Sequence, residues 1–282
     1  AYDVIHAHMG RVALAMQYLR DWGLLEGPLL ATFHGSDVLV EPKRHPPGLY
    51  DRLFAGASQL TANTRFLRDE LLALGAPEAR TAQVPVGVDV AELPFRPRTV
   101  DAGERVRLLT VASLVEFKGV EYGVRAVGEL VRRGLDVEYT IVGEGPLRDH
   151  LEALVAQLGL EDRVTLLGGL PWDRVVACYD THHLFVLPGK VTPEGGRESQ
   201  GKVLAEAQAA GLPVVASAVG GIPEAVAPEA GRLVPSRDTT ALAAAIAELV
   251  DRPDLWPEMG RRGRAFVEAR FNNERLIPEL VA

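Results

Sequence analysis

Residues 192–217 read TPEGGRESQGKVLAEAQAAGLPVVAS, which is a glycine-containing loop, then a small-residue segment, then a continuous apolar run. Another apolar run, HLFVLPG at residues 183–189, precedes the loop, so the order indicates strand, loop, helix and strand. Continuous apolar strands are typical of parallel sheets that are covered by helices on both faces. The alanines of the helical segment allow it to approach such a sheet closely.

The same alternation continues in both directions from this stretch. The sequence predicts ten strands, within residues 2–8, 28–35, 59–63, 79–89, 106–114, 137–145, 163–170, 183–189, 213–217 and 231–235. Helices are predicted between them, among them 64–75 with Thr64 as its cap and Gly75 as its stop, and 146–160 with Pro146 at its first position. A segment rich in proline and charge, ELPFRPRTVDAGE at 92–104, separates two blocks. The predicted fold class is therefore α/β, with two Rossmann-like parallel-sheet domains facing a cleft.

Composition restricts the function. The chain has 282 residues, enough for two domains, and its net charge of −8 argues against a nucleic-acid partner, which needs a basic face. A single cysteine, Cys178, excludes an intramolecular disulfide framework. No apolar run approaches the ~20 residues of a membrane span, and no signal peptide is visible. We therefore expect a cytoplasmic protein. Because the chain starts inside a predicted strand without a methionine, we also expect that N-terminal material is missing.

Several candidate ligand loops follow predicted strands of the second block, where open α/β sheets bind their ligands. SLVEFKG at 113–119 brings Lys118 to a helix start, which suits a diphosphate, although the motif taken alone favours a solvated lysine at a turn. VGEGP at 142–146 contains Gly143 and Glu144, and its glycines permit close approach to a ligand or simply a tight turn. LLGGLP at 166–171 is a weaker candidate.

The opening stretch carries Glu198 in the predicted loop and Glu206, after seven intervening residues, in the helix. Carboxylates accept paired hydrogen bonds from sugar hydroxyls, and free amides at a helix start attract anions. Lys202 is unexpected there, because a cation is disfavoured near a helix N-terminus. It could pair with Glu194 or Glu198, approach a phosphate, or extend into water.

With these residues in view, the chain resembles the retaining glycosyltransferases of family 4, which have the GT-B fold. Glu198 and Glu206 match the paired-glutamate motif of that family, and AEAQAAGLPVVAS resembles its continuation. The segments IHAHMG, FHGSDV, PVGVDVAELPFRPR and VEFKGVEYGVRAV resemble the branch that builds bacterial exopolysaccharides, including the colanic-acid type. The resemblance extends over nearly the whole chain.

The resemblance implies the roles of individual residues. Catalytic roles fall to His34, Glu198 and Lys118, with Glu198 at the hydroxyls of the donor sugar and His34 facing the transferring sugar. Glu206 would bind the ribose and Lys118 the diphosphate. The donor-binding set comprises Lys118, Gly143, Glu144, Ser199, Gln200, Gly201 and Glu206. Without the resemblance, His34 reads as a histidine bonded to backbone at a strand end, with Asp37 available to orient it.

The implied domains are an incomplete acceptor-side domain at 1–95, a nucleotide-sugar-binding domain at 96–271 and the start of a crossover helix at 272–282. The implied enzyme is a hexosyltransferase that uses a nucleotide diphosphate sugar as substrate and needs no cofactor and no metal. His6 and His8 then line a strand end rather than bind a metal. The acceptor would be a glycan or a lipid-linked sugar, so peripheral association with the inner face of the membrane is compatible with this reading.

One position departs from the family pattern. An arginine usually precedes the lysine loop, and this chain has Ser113 in its place, which removes one charge from the diphosphate site. Lys202 or Arg197 could compensate. Two other functions stay open: an epimerase or phosphorylase of the same fold, and an inactive sugar-nucleotide-binding or scaffold protein, which the Ser113 substitution favours.

Overall fold

The computed structural model describes residues 2–281, and their side chains as far as Pro278. The chain divides into two compact units. The first unit contains residues 1–86 together with 192–200, and the second contains 87–191 together with 201–282.

The first unit is built on a four-stranded parallel sheet in the order β1-β2-β3-β4. Its strands and helices are β1 (Ile5–His8), α1 (Gly10–Asp21), β2 (Leu29–Phe33), α2 (Ser36–Leu39), α3 (Asp51–Gly56), β3 (Gln59–Ala62), α4 (Arg65–Ala73) and β4 (Thr81–Gln83). Short 3₁₀ turns occupy Glu41–Arg44 and Glu78–Arg80. The core packs the fully buried side chains of strands and helices together, including Phe33, Leu53, Leu60, Leu67 and Leu71.

Helix α4 begins and ends as the sequence predicts. The Thr64 hydroxyl accepts a hydrogen bond of 3.1 Å from the backbone N–H of Leu67, which caps the first turn. The helix stops before Gly75, whose φ of +99° lies in the left-handed region that favours glycine. Both predicted signals are therefore confirmed.

The second unit is built on a six-stranded parallel sheet in the order β10-β9-β8-β5-β6-β7. Its strands are β5 (Val106–Val111), β6 (Val137–Val142), β7 (Val164–Gly168), β8 (Leu184–Leu187), β9 (Val214–Ser217) and β10 (Gly231–Val234). The strand order reverses between β5 and β8, which makes this pair the topological switch point of the sheet. Neighbouring residues of β5 face opposite sides, so Leu108 and Leu109 belong to different core layers.

The helices of the second unit are α5 (Val120–Arg132), α6 (Arg148–Leu158), α7 (Trp172–Thr181), α8 (Lys202–Ala209), α9 (Ile222–Ala225), α10 (Thr239–Asp251), α11 (Trp256–Arg270) and α12 (Asn273–Val281). Short 3₁₀ turns occupy Glu116–Lys118 and Pro253–Leu255. Within the described residues, none of the helices is both long enough and apolar enough to cross a membrane.

The prediction that Pro146 occupies the first position of α6 is wrong. The helix begins at Arg148 after a cap at Leu147. The backbone N–H of Leu147 bonds instead to the carbonyl of Leu114, 3.0 Å away, which keeps the preceding turn outside the helix.

The compact units differ from the predicted boundary at residue 95. Val88 pairs with Asn272 and accepts a 3.0 Å backbone hydrogen bond from Asn273, so residues 87–95 lie with the second unit. Residues 192–200, which the sequence assigns to the second domain, lie with the first unit.

A buried arginine joins two helix ends in the second unit. Arg98 is 5% exposed, and it donates three 2.8 Å hydrogen bonds to the carbonyls of Tyr179 and Asp180 in α7 and of Ala210 after α8. Helix C-termini carry partial negative charge, which favours a cation. Burial lowers the pKa of Arg98 to about 10, so the side chain stays charged at neutral pH.

We predict that Arg98→Met lowers the free energy of unfolding by about 3 kcal/mol, because three buried carbonyls lose their donor. Urea unfolding measures this loss. The matched control is Arg105→Met, which breaks an exposed pair with Asp136 and is expected to cost far less. Equal losses in both variants would contradict the role of Arg98.

Candidate functional site

Two loops interlock at the switch point of the second unit. One follows β5 and the other follows β8, and the backbone N–H of Lys190 donates a 2.8 Å hydrogen bond to the carbonyl of Phe117. Gly119 has a φ of +61°, and a Cβ atom there would overlap the carbonyl oxygen of Pro188. Only glycine allows this approach, so the two loops are held together at the carboxyl edge of the sheet.

Lys190, which the sequence analysis did not single out, braces the same two loops. Its Nζ lies 3.1 Å from the Glu116 carboxylate and 3.0 Å from that of Glu121, and the residue is 8% exposed. Burial opposes the charged form, but the hydrogen bonds that Lys190 donates to the two glutamates prevail and raise the pKa of Lys190. A lysine directly after a strand end is the one sequence signal that could have indicated it.

Lys118 lies in the 3₁₀ turn that precedes α5, beside the switch point. It is half-buried, and its Nζ is 5.2 Å from the ring centre of Phe117. Ser113 is exposed in the same loop. The structure thus places Lys118 where an open α/β sheet binds anions, and its contact with a diphosphate stays a prediction.

Gly143 and Glu144 form the turn after β6. Gly143 has a φ of +141°, and a Cβ atom there would overlap the carbonyl oxygen of Ala112. The Glu144 carboxylate accepts hydrogen bonds of 3.0 Å from Arg148 and 3.2 Å from the backbone N–H of Gly169. These contacts explain both residue types by packing alone, and a role in ligand binding stays a prediction.

Glu206 lies inside α8 and is 4% exposed. One carboxylate oxygen accepts a 2.8 Å hydrogen bond from the hydroxyl of Tyr179, and the other lies 3.2 Å from the Nζ of Lys202. Burial and, after it, the charge of Glu206 raise the pKa of Tyr179 well above its ordinary value, so its hydroxyl remains a neutral donor. Tyr179 is a further residue that the sequence analysis missed.

The partner of Lys202 differs from those considered in the sequence analysis. It pairs with Glu206 rather than with Glu194 or Glu198, because residues four apart lie on the same face of a helix. Its Nζ also lies 5.9 Å from the ring centre of Trp172. Gly201, with a φ of +77°, caps α8 immediately before Lys202.

Ser199 and Gln200 are tied to the first unit. The Ser199 hydroxyl donates a 2.5 Å hydrogen bond to the carbonyl of His34 and accepts one of 3.0 Å from Asn63. Gln200 exchanges two hydrogen bonds with the backbone of Val86, at 2.7 and 2.8 Å. The side chains of both residues therefore serve to anchor the loop, and backbone contacts of this segment with a donor stay predictions.

Glu198 precedes these anchors and is 8% exposed, so its carboxylate lies in a largely enclosed place. Arg197, considered above as a replacement charge, pairs instead with Glu70 of α4 at 2.5 Å and lies over the ring of Phe66. These contacts within the first unit account for the charge of Arg197.

His34 follows β2 at the carboxyl edge of the first sheet. Asp37, which is 1% exposed, accepts backbone hydrogen bonds from Gly10, His34 and Gly35 at 2.8–3.1 Å and so fixes the loop. The His34 ring lies against His8, with their Nε2 and Nδ1 atoms 2.9 Å apart. Among the described residues, no cluster of His, Cys, Asp or Glu side chains has a geometry that could hold a metal ion.

Two parallel-sheet units, the second with the strand order of dinucleotide-binding domains and charged loops at its switch point, define a GT-B fold. Solved structures agree. A sucrose-phosphate synthase of Thermosynechococcus elongatus matches with a TM-score of 0.83 and 26% identity, over 99% of this chain and 72% of that one. Anabaena HepE in complex with UDP matches with a TM-score of 0.84 and 20% identity, over 99% and 78%.

Sequence comparison identifies the family. Residues 1–92 match Glycosyltransferase Family 4, and residues 94–266 match Glycosyl transferases group 1. WcaL of Escherichia coli K12, a protein named for colanic acid biosynthesis, is 33% identical over 99% of this chain and 70% of its own length. The amylovoran biosynthesis glycosyltransferase AmsK of Erwinia amylovora is also 33% identical, over 96% and 67%. The chain belongs to the family 4 glycosyltransferases, which confirms the resemblance and the GT-B fold.

We predict that Gly143→Ala lowers the free energy of unfolding by about 3 kcal/mol, because the methyl group meets the Ala112 carbonyl and the residue keeps a left-handed φ. Gly134→Ala is the matched control, since Gly134 has a φ of +85° with open space around it. It should cost about 1–2 kcal/mol. If urea unfolding showed that Gly143→Ala and Gly134→Ala lower the free energy of unfolding equally, the Ala112 carbonyl would not be what requires glycine at position 143.

Proposed function

We propose that the protein is a retaining hexosyltransferase. It would transfer a sugar from a nucleotide diphosphate sugar to a glycan or lipid-linked acceptor in exopolysaccharide synthesis. The observation that carries this proposal is the switch point of the second unit, where Lys118 lies in the turn immediately before α5 and the loops after β5 and β8 interlock. Nucleotide diphosphates bind at such sites because helix N-termini and cations both favour the phosphate charge.

The relatives support the substrate class. WcaL and AmsK are named for the biosynthesis of colanic acid and amylovoran. A relative in Mycobacterium tuberculosis, 30% identical over 89% of this chain and 68% of its own length, is named as a GDP-mannose-dependent mannosyltransferase. HepE structures contain UDP and UDP-glucose. The donor base is therefore proposed to be uracil or guanine.

Each candidate residue has a proposed role in donor binding or sugar transfer. Lys118 and the amides of α5 stabilise the diphosphate as its bond to the anomeric carbon breaks. Glu206 accepts hydrogen bonds from the ribose. Lys202, which pairs with Glu206, supplies positive charge in place of the arginine that is replaced here by Ser113. Glu198 binds sugar hydroxyls, and His34 acts at the transferring sugar.

In the proposed reaction, the anomeric carbon loses its bond to the diphosphate oxygen and gains one to the acceptor oxygen. The acceptor proton passes to the departing diphosphate. No metal and no cofactor take part in this scheme, so transfer would persist in a chelator. Peripheral contact with a membrane belongs to the proposal only for a lipid-linked acceptor.

We predict that Lys118→Ala and Glu198→Ala each lower kcat/KM for donor at least about 100-fold, because each removes a contact that strengthens in the transition state. Initial rates with radiolabelled donor measure this. Glu248→Gln is the control, since Glu248 of α10 pairs with Arg232 of β10, the edge strand of the sheet, away from the switch point. Unchanged rates in the two test variants would remove them from the site.

We predict that a thermal-shift screen of UDP-, GDP- and ADP-sugars finds stabilisation by a UDP- or GDP-sugar. Transfer assays with that donor should then give a product with the donor's anomeric configuration, as read by the anomeric coupling in proton NMR. An inverted product would contradict the retaining mechanism. Donor binding without turnover for every acceptor tested would favour the scaffold alternative.

A further inference from the structure

A second histidine faces the candidate catalytic histidine in the first unit. The Nδ1 of His8 and the Nε2 of His34 are 2.9 Å apart, and the two rings stack with centres 5.1 Å apart at 20°. Because the two nitrogens share one hydrogen bond, one carries the proton and the other offers its lone pair. The tautomers of the two neutral rings are therefore coupled.

The His8 ring is itself held in place. It lies against the ring of His6, with centres 4.3 Å apart. The Nε2 of His6 bonds to the Thr32 hydroxyl at 2.8 Å, which in turn bonds to the Thr61 hydroxyl at 2.7 Å. A chain of contacts thus runs from the sheet interior through His6 to His8.

Burial and the charge of a protonated neighbouring ring resist double protonation of the His8–His34 pair. Burial is the largest cause that lowers the pKa of His34, and the charged form of His8 lowers it further, while Asp37 opposes the shift. Burial, His8 and His34 together lower the pKa of His6. Among the described residues, the groups that contact His34 are His8 on β1, Asp37 on α2, and the uncharged Ser199 and Asn63. Two protonated rings would repel each other and lose their hydrogen bond.

We propose that His8 is a positioning residue that fixes the ring orientation and the tautomer of His34, and that the pair works only while it carries at most one extra proton. The backbone of His34 is set by Asp37, and its ring is set by His8. This role rests on the proposed function, in which His34 acts at the transferring sugar.

The kinetic test compares His8→Ala with His8→Asn, whose side-chain amide can occupy the position of Nδ1 without titrating. We expect His8→Ala to lower kcat about tenfold with little change in the donor KM, and His8→Asn to restore most of the loss.

In both variants the acid limb of the pH–rate profile should move to higher pH, because a charged His8 no longer opposes protonation of His34. His150→Ala, an exposed histidine of α6, is the control. Unchanged kcat and profile in His8→Ala, with His34→Ala impaired, would overturn the role of His8 and leave the proposed function intact.

A test without turnover uses ¹⁵N NMR of the histidine rings in the full chain. We expect His8 and His34 to show one complementary pair of tautomers at neutral pH. The tautomer ratio of His34 should become mixed in His8→Ala and recover in His8→Asn. Should His8→Ala not fold, the comparison of wild type with His8→Asn still applies. An unchanged His34 signal in His8→Ala, or mixed tautomers in wild type, would overturn the proposal whether or not any donor is transferred.

Discussion

The approach of the Gly119 backbone to the Pro188 carbonyl determines how the loops at the carboxyl edge of the second sheet are arranged. It joins loops from β5 and β8, the two strands at which the winding of the sheet reverses. The salt bridges of Lys190 to Glu116 and Glu121 then keep the loops at one separation. Lys118 lies between Glu116 and Gly119 along the chain, so the brace and the glycine fix its backbone from both sides.

The regular elements could be predicted from sequence because their signals are local. Apolar runs in a parallel sheet need no information about distant partners, and every strand range predicted from them contains an observed strand. The Thr64 cap and the Gly75 stop depend on a few neighbouring residues only. The prediction that α6 begins at Pro146 was wrong because the backbone N–H of Leu147 bonds to the carbonyl of Leu114, 33 positions earlier in the chain. The helix therefore begins later, and no local sequence pattern indicates this contact.

The candidate site was predictable only where family motifs or strand ends mark it. Lys118 follows a strand and Glu206 follows a recognisable spacing. Lys190 also follows a strand end, but its pairing with Glu121 and the bond of Tyr179 to Glu206 form only when distant elements meet. Several partners for Lys202 were compatible with the sequence, and the structure pairs it with Glu206, one helical turn away. Gly143 is a similar case, because a tight turn and a close ligand contact both require glycine. The structure shows that the Ala112 carbonyl alone leaves no room for a side chain there.

The segment 192–200 has a consequence for synthesis of the chain. Among the described residues, the last strand of the first unit ends at Gln83, yet Ser199 and Gln200 form hydrogen bonds with His34, Asn63 and Val86. At about 5–20 residues per second, a ribosome needs on the order of 10 s to make the residues between Val86 and Gln200. During that interval the nascent first unit holds a sheet whose carboxyl edge lacks its closing loop. The first unit therefore completes its folding only after residues 192–200 are made, and these residues interrupt the sequence of the second unit. A gene fragment that ends at Val86 would omit this part of the first unit.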